Sequence, residues 1–312
     1  MENLNKKCTD IAIVGAGVAG LYAAYCSLIS GLSCIIFDML PYFGGQCVSF
    51  YPNKEVYGVP GMQNITASSL VKRLSKQVFG LDKKPVVFTE KVCDIVKEKE
   101  FFLINSGKYT AKKVILATGI GNMQPSIPRN IIGAERSDGF AQYYCMKTDL
   151  YKDKFVIVAG GGDSAADFAL DISRIAKKVL LIHRKDKLLC EFNKLQMIRG
   201  TSNIEIKLSE NILNIENDNK VITDKNIYNN IDYIVFCYGF STTPSSIDGI
   251  EINENGLIDV DFLTMETKNP GIYAIGDAIA YKNKKKNIVS CFYEADKAVR
   301  MINKEIGGIR DV

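Results

Sequence analysis

The stretch Ile11-Ala-Ile-Val-Gly-Ala-Gly-Val-Ala-Gly20 decides the fold of the first part of the chain. Its leading apolar residues predict a buried strand, and its glycines predict a tight turn that runs into a helix. In a turn of this kind Gly15 permits the bend, and Gly17 lets the backbone approach a pyrophosphate. Gly20 allows the helix to pack closely on the strand, so the stretch predicts a dinucleotide site.

An acid further along the chain supports this interpretation. Asp38 ends the apolar segment that starts at Cys34, and it lies 18 residues after Gly20. A carboxylate at this place accepts hydrogen bonds from the hydroxyl groups of an unphosphorylated adenosine ribose. A glycine-rich surface loop is the alternative, but the preceding strand, the following helix and the acid together favour the nucleotide site.

The same pattern occurs a second time. A strand at 155–159 runs into the glycine turn Gly160-Gly-Gly-Asp-Ser-Ala165, and the following strand at 179–182 ends at His183-Arg184-Lys185. Cations at this place suit a 2'-phosphate, so the second nucleotide is predicted to be NADP(H) and the first to be FAD. A solvated strand end is the alternative for the basic residues, because charged residues are mostly exposed.

The composition excludes several classes of protein. The chain has 312 residues, which is room for two domains, and its 47% apolar and 24% charged residues are typical of a globular protein. No apolar run approaches the roughly 20 residues that cross a bilayer, and the N-terminal segment lacks a signal-peptide pattern, so we expect a cytoplasmic protein without a membrane partner. Nine cysteines without framework spacing agree with reduced thiols. A net charge of +4 is too small to predict nucleic-acid binding.

The remaining pattern extends the α/β interpretation over the rest of the chain. A helix is predicted at Ala67–Phe79. Two buried strands are predicted to end at Ala117-Thr-Gly119 and at Gly239, and at such glycines the backbone is expected to pass close to a bound dinucleotide. The strand at 271–277 presents Asp277 at its carboxyl end, where open α/β sheets bind ligands. A final helix is predicted from Phe292 to about Lys304, with an apolar face that belongs to the core.

These motifs together resemble those of the thioredoxin-reductase-like flavoproteins over nearly the whole chain. Within that family the chain is most similar to the ferredoxin (flavodoxin)–NADP reductases of the thioredoxin-reductase-like type. The motifs that carry the resemblance are Gly15 to Gly20, Gly44-Gly45-Gln46 with the residues up to Lys54, Ala117 to Gly119, Gly160 to Ser164, His183-Arg184, Thr264 to Thr267 and Gly276-Asp277.

The resemblance implies an α/β fold with two Rossmann-like dinucleotide-binding domains of the three-layer ββα type. Residues 121–243 would form an NADP(H)-binding domain, inserted into a discontinuous FAD-binding domain of residues 1–120 and 244–312. The implied cofactors are FAD and NADP(H), the implied assembly is a homodimer, and no metal site is predicted.

The resemblance also assigns individual residues. For FAD it implies Asp38 at the ribose, Gln46 and Tyr51 beside the flavin, Val92 near the adenine, Met123 close to the ring and Asp277 at the ribityl chain, together with Gly15, Ala16, Gly17, Gly20, Gly45, Thr118 and Gly119. For NADP(H) it implies Gly160, Gly161, Gly162, Asp163, Ser164, His183, Arg184 and Lys185. An ordinary core aromatic is the alternative for Tyr51, and Val92 and Met123 are apolar packing residues in either case.

The cysteine spacing distinguishes between branches of this family. A thioredoxin reductase carries Cys-x-x-Cys just before the second glycine turn, because a dithiol must pass electrons from the flavin to a disulfide. Here Cys145 stands alone in that segment, and Cys47 would need a partner where Pro52 stands. A redox-active dithiol of neighbouring cysteines is therefore excluded, and reduced FAD is expected to deliver electrons directly to an external acceptor.

Two departures from the family pattern change what we expect of the nucleotide preference and of the shielding of the flavin. Relatives usually carry further arginines after the His-Arg pair, whereas Lys185, Leu188 and Leu189 follow here. The 2'-phosphate site is therefore expected to rest on Arg184 with Lys185 and Lys187, and the preference for NADPH to be looser. The chain also stops 35 residues after Asp277, short of the tail that covers the flavin in relatives, so we expect a less shielded flavin.

The resemblance and the missing dithiol together predict a flavoenzyme that passes electrons from NADPH to an acidic ferredoxin or flavodoxin, with the flavin carrying the chemistry instead of a catalytic side chain. A disulfide reductase with a non-standard dithiol, a flavin monooxygenase and a non-catalytic NADP(H)-sensing flavoprotein are the alternatives. The run Tyr281-Lys-Asn-Lys-Lys-Lys286 predicts either a cationic docking rim for the acidic partner or a solvated loop.

Overall fold

The computed structural model describes most of the chain. The described residues are 8–50, 52, 54–56, 58–63, 65–135, 138–143, 148–216, 219–243 and 246–307. Two residues of the sequence analysis, Tyr51 and Cys145, lie outside this set, and so does the side chain of Met123. The chain divides into two units, which we call the first unit (Met1–Asn122 with Thr242–Val312) and the second unit (Met123–Ser241).

The helices and strands are numbered in chain order. Up to residue 125 they are β1 (Thr9–Val14), α1 (Val18–Ile29), β2 (Cys34–Asp38), α2 (Gln46–Ser49), β3 (Glu55–Val56), β4 (Ile65–Thr66), α3 (Ala67–Phe79), β5 (Val86–Thr89), β6 (Ile95–Glu98), β7 (Phe101–Ile104), β8 (Tyr109–Leu116) and β9 (Asn122–Pro125). From residue 141 onward they are β10 (Ala141–Gln142), β11 (Phe155–Ala159), α4 (Asp163–Ser173), β12 (Lys178–His183), α5 (Phe192–Gly200), β13 (Ile204–Leu208), β14 (Ile212–Glu216), β15 (Lys220–Thr223), β16 (Ile227–Tyr228), β17 (Tyr233–Phe236), β18 (Phe240–Thr243), β19 (Ile258–Asp259), β20 (Ile272–Ala274), β21 (Ile279–Ala280) and α6 (Ile288–Glu305). Short 3₁₀ turns lie at Thr148–Tyr151 and Gly276–Ala278.

A seven-stranded sheet forms the centre of the first unit. Its strand order is β5-β2-β1-β8-β7-β6, and β20 also pairs with β8. The strands β5, β2, β1, β8 and β20 run parallel, whereas β7 is antiparallel to both of its neighbours. The carboxyl ends of β2, β1, β8 and β20 therefore lie side by side at one edge, which is where open α/β sheets bind ligands.

Two predicted helices of the first unit can be compared with the structure. The helix α3 has the predicted bounds, and the side chain of Thr66 caps it by accepting a hydrogen bond from the backbone N–H of Ser69 at 3.2 Å. The prediction that α6 begins at Phe292 is wrong by one turn. The helix begins at Ile288 because the Asn287 side chain accepts a hydrogen bond from the N–H of Ser290 at 2.8 Å, which makes Asn287 the N-cap.

A five-stranded parallel sheet with the order β10-β17-β11-β12-β13 forms the centre of the second unit. Along β11, Ile157 and Ala159 belong to one apolar cluster, whereas Val156 and Val158 belong to another. Successive side chains of a strand point to opposite faces, so the sheet is buried on both faces, as parallel sheets are. The antiparallel strands β14, β15 and β16 contribute to the first cluster, and α4 contributes to the second.

Each unit thus carries a sheet whose central strands are parallel, with a glycine turn after one of them, and the predicted α/β, Rossmann-like fold class is confirmed. Strands β9 and β18 form a separate two-stranded sheet where the chain passes from one unit to the other. In the part of the chain described here, none of the helices combines the length and apolar composition that a membrane span requires.

Candidate functional site

The first glycine turn joins β1 to α1. A Cβ atom on Gly15 would collide with the carbonyl oxygen of Ala117, and one on Gly20 would collide with the carbonyl oxygen of Gly15. Gly15 also has a φ of 111°, which favours glycine. Gly17, in contrast, has no atom within 4 Å of the position of a Cβ, and its place as N-cap carries no side-chain cap. The start of α1 is therefore open, with unsatisfied N–H groups that favour an anion.

Asp38 fixes this turn from the end of β2. One carboxylate oxygen accepts a hydrogen bond from the backbone N–H of Ala16 at 2.6 Å, and the other accepts one from the N–H of Leu40 at 2.8 Å. A carboxylate has about four acceptor positions, so Asp38 keeps capacity for hydroxyl donors. The acid thus lies beside the turn, as a ribose-binding residue would.

A second glycine-containing loop reaches the same place. The backbone N–H of Gly44 donates to the carbonyl oxygen of Ala16 at 2.9 Å, and a Cβ on Gly45 would lie 3.3 Å from the Cα of Gly17. The Nε2 atom of Gln46 lies 3.1 Å from the position that a Cβ of Gly119 would take. The structure therefore brings together three of the predicted segments, which are 15–20, 44–46 and 117–119.

Asp277 lies in the 3₁₀ turn that follows β20. Its Oδ1 atom is buried, and it has no hydrogen-bond partner among the described residues. Leaving a buried polar atom unsatisfied costs about 1–3 kcal/mol, and more when the group is charged, so this atom requires a hydrogen-bond donor from outside the described residues. The hydroxyl groups of a ribityl chain are donors of this kind. The residue therefore fits the FAD that the sequence predicts.

The surroundings of the other residues predicted to bind FAD say less about a ligand. Thr118 follows β8 and is half-buried, whereas Val92 is 3% exposed and belongs to the apolar core of the first unit. The backbone of Met123 belongs to β9, but its side chain and the whole of Tyr51 lie outside the described residues.

The second glycine turn joins β11 to α4. Gly160 has a φ of 150°, and a Cβ there would lie 2.7 Å from the carbonyl oxygen of Cys237. A Cβ on Gly161 would overlap the imidazole ring of His183, so the two residues pack directly against each other. Gly162 has open space at the position of a Cβ and is the N-cap of α4 without a side-chain cap. The start of α4 is therefore as open to an anion as the start of α1.

The basic residues at the end of β12 and directly after it differ in their surroundings. The Nε2 atom of His183 is buried without a partner among the described residues. Burial and the neighbouring charges of Arg184 and Lys185 lower the pKa of His183, so its ring is neutral at pH 7. Arg184 and Lys185 are exposed. The positive charge that the sequence analysis assigned to all three residues is therefore carried by Arg184 and Lys185.

Asp163 and Ser164 form the first turn of α4. The Oδ1 atom of Asp163 accepts a hydrogen bond from the backbone N–H of Glu191 at 3.0 Å and another from Lys194 Nζ at 3.3 Å. Asp163 thus ties the start of α4 to the start of α5, a contact that the glycine motif alone does not reveal.

Comparison with known proteins agrees with this geometry. The family model of the pyridine nucleotide-disulphide oxidoreductases matches residues 9–298. The chain belongs to this family. A ferredoxin–NADP reductase of Neorickettsia sennetsu is 33% identical over 96% of this chain and 94% of its own length, and one of Paraburkholderia phytofirmans is 34% identical over 94% and 87%. Among solved structures, the thioredoxin reductase of T. acidophilum has a TM-score of 0.78 and 26% identity, covering 96% of this chain and 99% of that one.

The family name implies a redox-active dithiol, whereas the thiols near Asp277, those of Cys47 and Cys291, are not activated. Burial and the charge of Asp277 raise the pKa of Cys47. The same two causes, again led by burial, raise the pKa of Cys291 to about 12. A thiol reacts as its thiolate, so neither group is activated as a redox nucleophile at neutral pH. Cys145, which the sequence analysis found alone, lies outside the described residues.

A buried ion pair beside the Asp277 turn was missed by the sequence analysis. Glu294 of α6 is fully buried, and its Oε2 accepts a hydrogen bond from the backbone N–H of Gly276 at 2.8 Å. Its Oε1 accepts from Lys284 Nζ at 2.5 Å and from the hydroxyl of Tyr281 at 2.8 Å. A glutamate between Cys291 and Ala298 on the apolar face of a helix is the signal that could have revealed it.

The same ion pair corrects the interpretation of the lysine run. The side chain of Lys284 is only 6% exposed and is paired with Glu294, so it does not belong to a cationic docking rim. Lys282, Lys285 and Lys286 are exposed. A docking rim in this segment would therefore consist of Lys282, Lys285 and Lys286 and would not include Lys284.

Proposed function

We propose that this oxidoreductase is a ferredoxin–NADP reductase, which binds FAD in the first unit and NADP(H) in the second and passes electrons between NADPH and a ferredoxin or flavodoxin. The observation that carries the proposal is the pair of open glycine turns with opposite charges beside them, Asp38 at the first and Arg184 with Lys185 at the second. The 33% identity to a ferredoxin–NADP reductase over 96% of the chain supports the class of acceptor.

The proposed FAD site follows the carboxyl edge of the first sheet. Gly17 and Gly45 leave room for the pyrophosphate, Asp38 binds the adenosine ribose, and Asp277 accepts a hydrogen bond from the ribityl chain. The remaining proposed contacts come from Gly15, Ala16, Gly20, Gln46, Tyr51, Val92, Thr118, Gly119 and Met123.

The proposed NADP(H) site follows the second glycine turn. Gly162 leaves room for the pyrophosphate at the start of α4, and Arg184 with Lys185 binds the 2'-phosphate. The neutral ring of His183 supports the turn by packing against Gly161. Gly160, Asp163 and Ser164 complete the set of proposed NADP(H) contacts.

When bound, FAD supplies the chemistry, because it accepts a hydride from NADPH and releases electrons one at a time. The chain orients the ring through Gln46 and the ribityl chain through Asp277. It keeps the thiols of Cys47 and Cys291 protonated, so that they do not divert electrons. The positive end of the α6 helix dipole, which lies at Ile288, would stabilise negative charge on the reduced cofactor.

Arg184→Ala is expected to raise the KM for NADPH about tenfold, equivalent to ~1.4 kcal/mol, and to change the KM for NADH little. A guanidinium binds a 2'-phosphate bidentately, and NADH lacks that phosphate. Steady-state reduction of ferricyanide by each nucleotide measures both values. Arg199→Ala removes an exposed arginine elsewhere in the second unit and is the matched control. Equal losses with NADPH and NADH would refute the assignment of Arg184.

We further propose that the exposed residues Lys282, Lys285 and Lys286 attract an acidic ferredoxin or flavodoxin. Lys285→Gln combined with Lys286→Gln is then expected to slow ferredoxin reduction at low ionic strength and to flatten its dependence on salt. Electrostatic attraction acts mainly on the association rate and is screened beyond about 8 Å at physiological ionic strength. Stopped-flow reduction of ferredoxin at several salt concentrations measures the effect.

Two controls make this result specific. Lys83→Gln with Lys84→Gln removes another exposed lysine pair from the same unit. Ferricyanide reduction by the 285/286 variant should match that of the parent, because a small dye does not need a docking surface. If both lysine pairs affect ferredoxin equally, the docking site is wrong.

The proposal also includes a homodimer in the cytoplasm. Light scattering during gel filtration measures the mass of the assembly against the 34.6 kDa of one chain, and a mass of one chain would refute the dimer. Fractionation of cells tests the location.

A further inference from the structure

Lys194 is a buried cation that none of the proposed nucleotide contacts includes. It lies in α5 and is 8% exposed. Its Nζ atom is 2.9 Å from Oδ1 of Asp167, 3.3 Å from Oδ1 of Asp163 and 3.9 Å from Oε2 of Glu191. Burial alone would lower the pKa of Lys194, but the hydrogen bonds and charges of Asp167 and Asp163 outweigh it and raise that pKa. The side chain is therefore charged at neutral pH.

Asp163 connects the ion pairs of Lys194 to the second glycine turn. It is the first residue of α4 and directly follows the N-cap, Gly162, which has open space in place of a side chain. The start of α4 is the place where the proposed function puts the pyrophosphate. Lys194 places a positive charge beside the carboxylate of Asp163, which lies next to the site proposed for a ligand of the same charge as that carboxylate. Like charges repel each other, and a lysine held between them offsets part of that repulsion.

We propose that Lys194 is a positioning residue for the pyrophosphate of the nicotinamide nucleotide. It offsets part of the negative charge of Asp163, keeps that carboxylate tied to the start of α5 and so preserves the positive character of the start of α4. This inference rests on the proposed function, because it requires a dinucleotide at the second turn. Its role differs from that of Arg184, since the pyrophosphate is common to NADP(H) and NAD(H), whereas the 2'-phosphate belongs to NADP(H) alone.

Lys194→Met tests the inference, because methionine keeps an apolar stem of similar length and removes the charge. Isothermal titration of the FAD-loaded protein with NADP⁺ and with NAD⁺ measures binding without turnover. Both dissociation constants are expected to rise about tenfold. In steady state the KM values for NADPH and NADH should rise together, and kcat at saturating nucleotide should stay at the parental value.

Three further variants separate this electrostatic role from a structural one. Lys194→Arg keeps the charge and should bind both nucleotides more tightly than Lys194→Met. Asp163→Asn added to Lys194→Met removes the carboxylate charge that Lys194 no longer offsets and should recover part of the lost affinity. Lys177→Met removes an exposed lysine from the same unit and should leave both dissociation constants unchanged.

The outcomes are distinguishable. Parental affinity of Lys194→Met overturns the inference, and so does a loss confined to NADP⁺, which would assign Lys194 to the 2'-phosphate. A double variant that binds no better than Lys194→Met also overturns it, because the role would then be structural. If the parent itself binds neither nucleotide, the proposed function fails and this inference fails with it.

Discussion

Glu294→Ala is expected to lower the free energy of unfolding by about 3–5 kcal/mol, because it removes one partner of a buried ion pair. Lys284, with a side chain only 6% exposed, would keep its charge without a partner, and the N–H of Gly276 would lose its acceptor. Gly276 precedes Asp277, so the turn that presents the unpaired Oδ1 would also loosen. Urea unfolding followed by circular dichroism should show the lower midpoint, and FAD should be released at lower urea.

Replacing both partners of the pair is the control for this prediction. Glu294→Leu with Lys284→Met removes both charges and should cost much less than the single change, because an apolar pair of similar volume often substitutes for a buried ion pair. Glu294→Gln keeps an acceptor for Gly276 and should fall between them, which supplies a measurable variant if the alanine variant does not accumulate. An unchanged midpoint of Glu294→Ala would show that the pair does not stabilise this unit.

Gly20→Ala is expected to prevent stable folding of the first unit, whereas Gly17→Ala is expected to fold and to lose FAD. A Cβ on Gly20 would collide with the carbonyl oxygen of Gly15, which is backbone and cannot move aside without breaking the turn. A Cβ on Gly17 meets no atom within 4 Å, and loss of glycine at the N-cap of α1 costs about 1 kcal/mol or less. Only a ligand in the open space requires Gly17 to be glycine.

The two alanine variants are therefore matched controls for each other. Their unfolding midpoints and the flavin absorbance retained after gel filtration separate the two roles. If Gly17→Ala retained FAD with parental affinity, the pyrophosphate would not bind at the start of α1. If Gly20→Ala folded with parental stability, the close approach of α1 to the turn would be wrong.

Local sequence patterns predicted the parts of the site that depend on the backbone. The order of strand, glycine turn and helix at Gly15 to Gly20 and at Gly160 to Ser164 requires only local geometry, and both turns lie where predicted. Asp38 could be placed because a parallel neighbouring strand must end beside the turn. The apolar face of α6 followed from helical spacing, and Ala295, Val299 and Ile302 are buried.

Side-chain pairings between distant residues could not be predicted in this way. Lys284 is one of four lysines in six residues, and nothing local distinguishes the one that pairs with Glu294 of α6. His183 ends a strand next to two exposed cations, yet tertiary packing places its ring against Gly161 and favours the neutral form. Lys194 is charged because of Asp167 and Asp163 on another helix.

Electron transfer from NADPH to a ferredoxin is the reaction that most directly tests the proposed function. The FAD-loaded protein is incubated with NADPH and either ferredoxin, with cytochrome c as the final indicator, or thioredoxin, with a chromogenic disulfide as the final indicator. Cys47→Ser and Cys291→Ser variants are assayed beside the parent. We expect NADPH-dependent reduction of ferredoxin by all three proteins, and oxidised thioredoxin throughout. Reduction of thioredoxin at a rate comparable to that of ferredoxin, abolished by either serine variant, would contradict direct transfer from the flavin and identify a disulfide reductase instead.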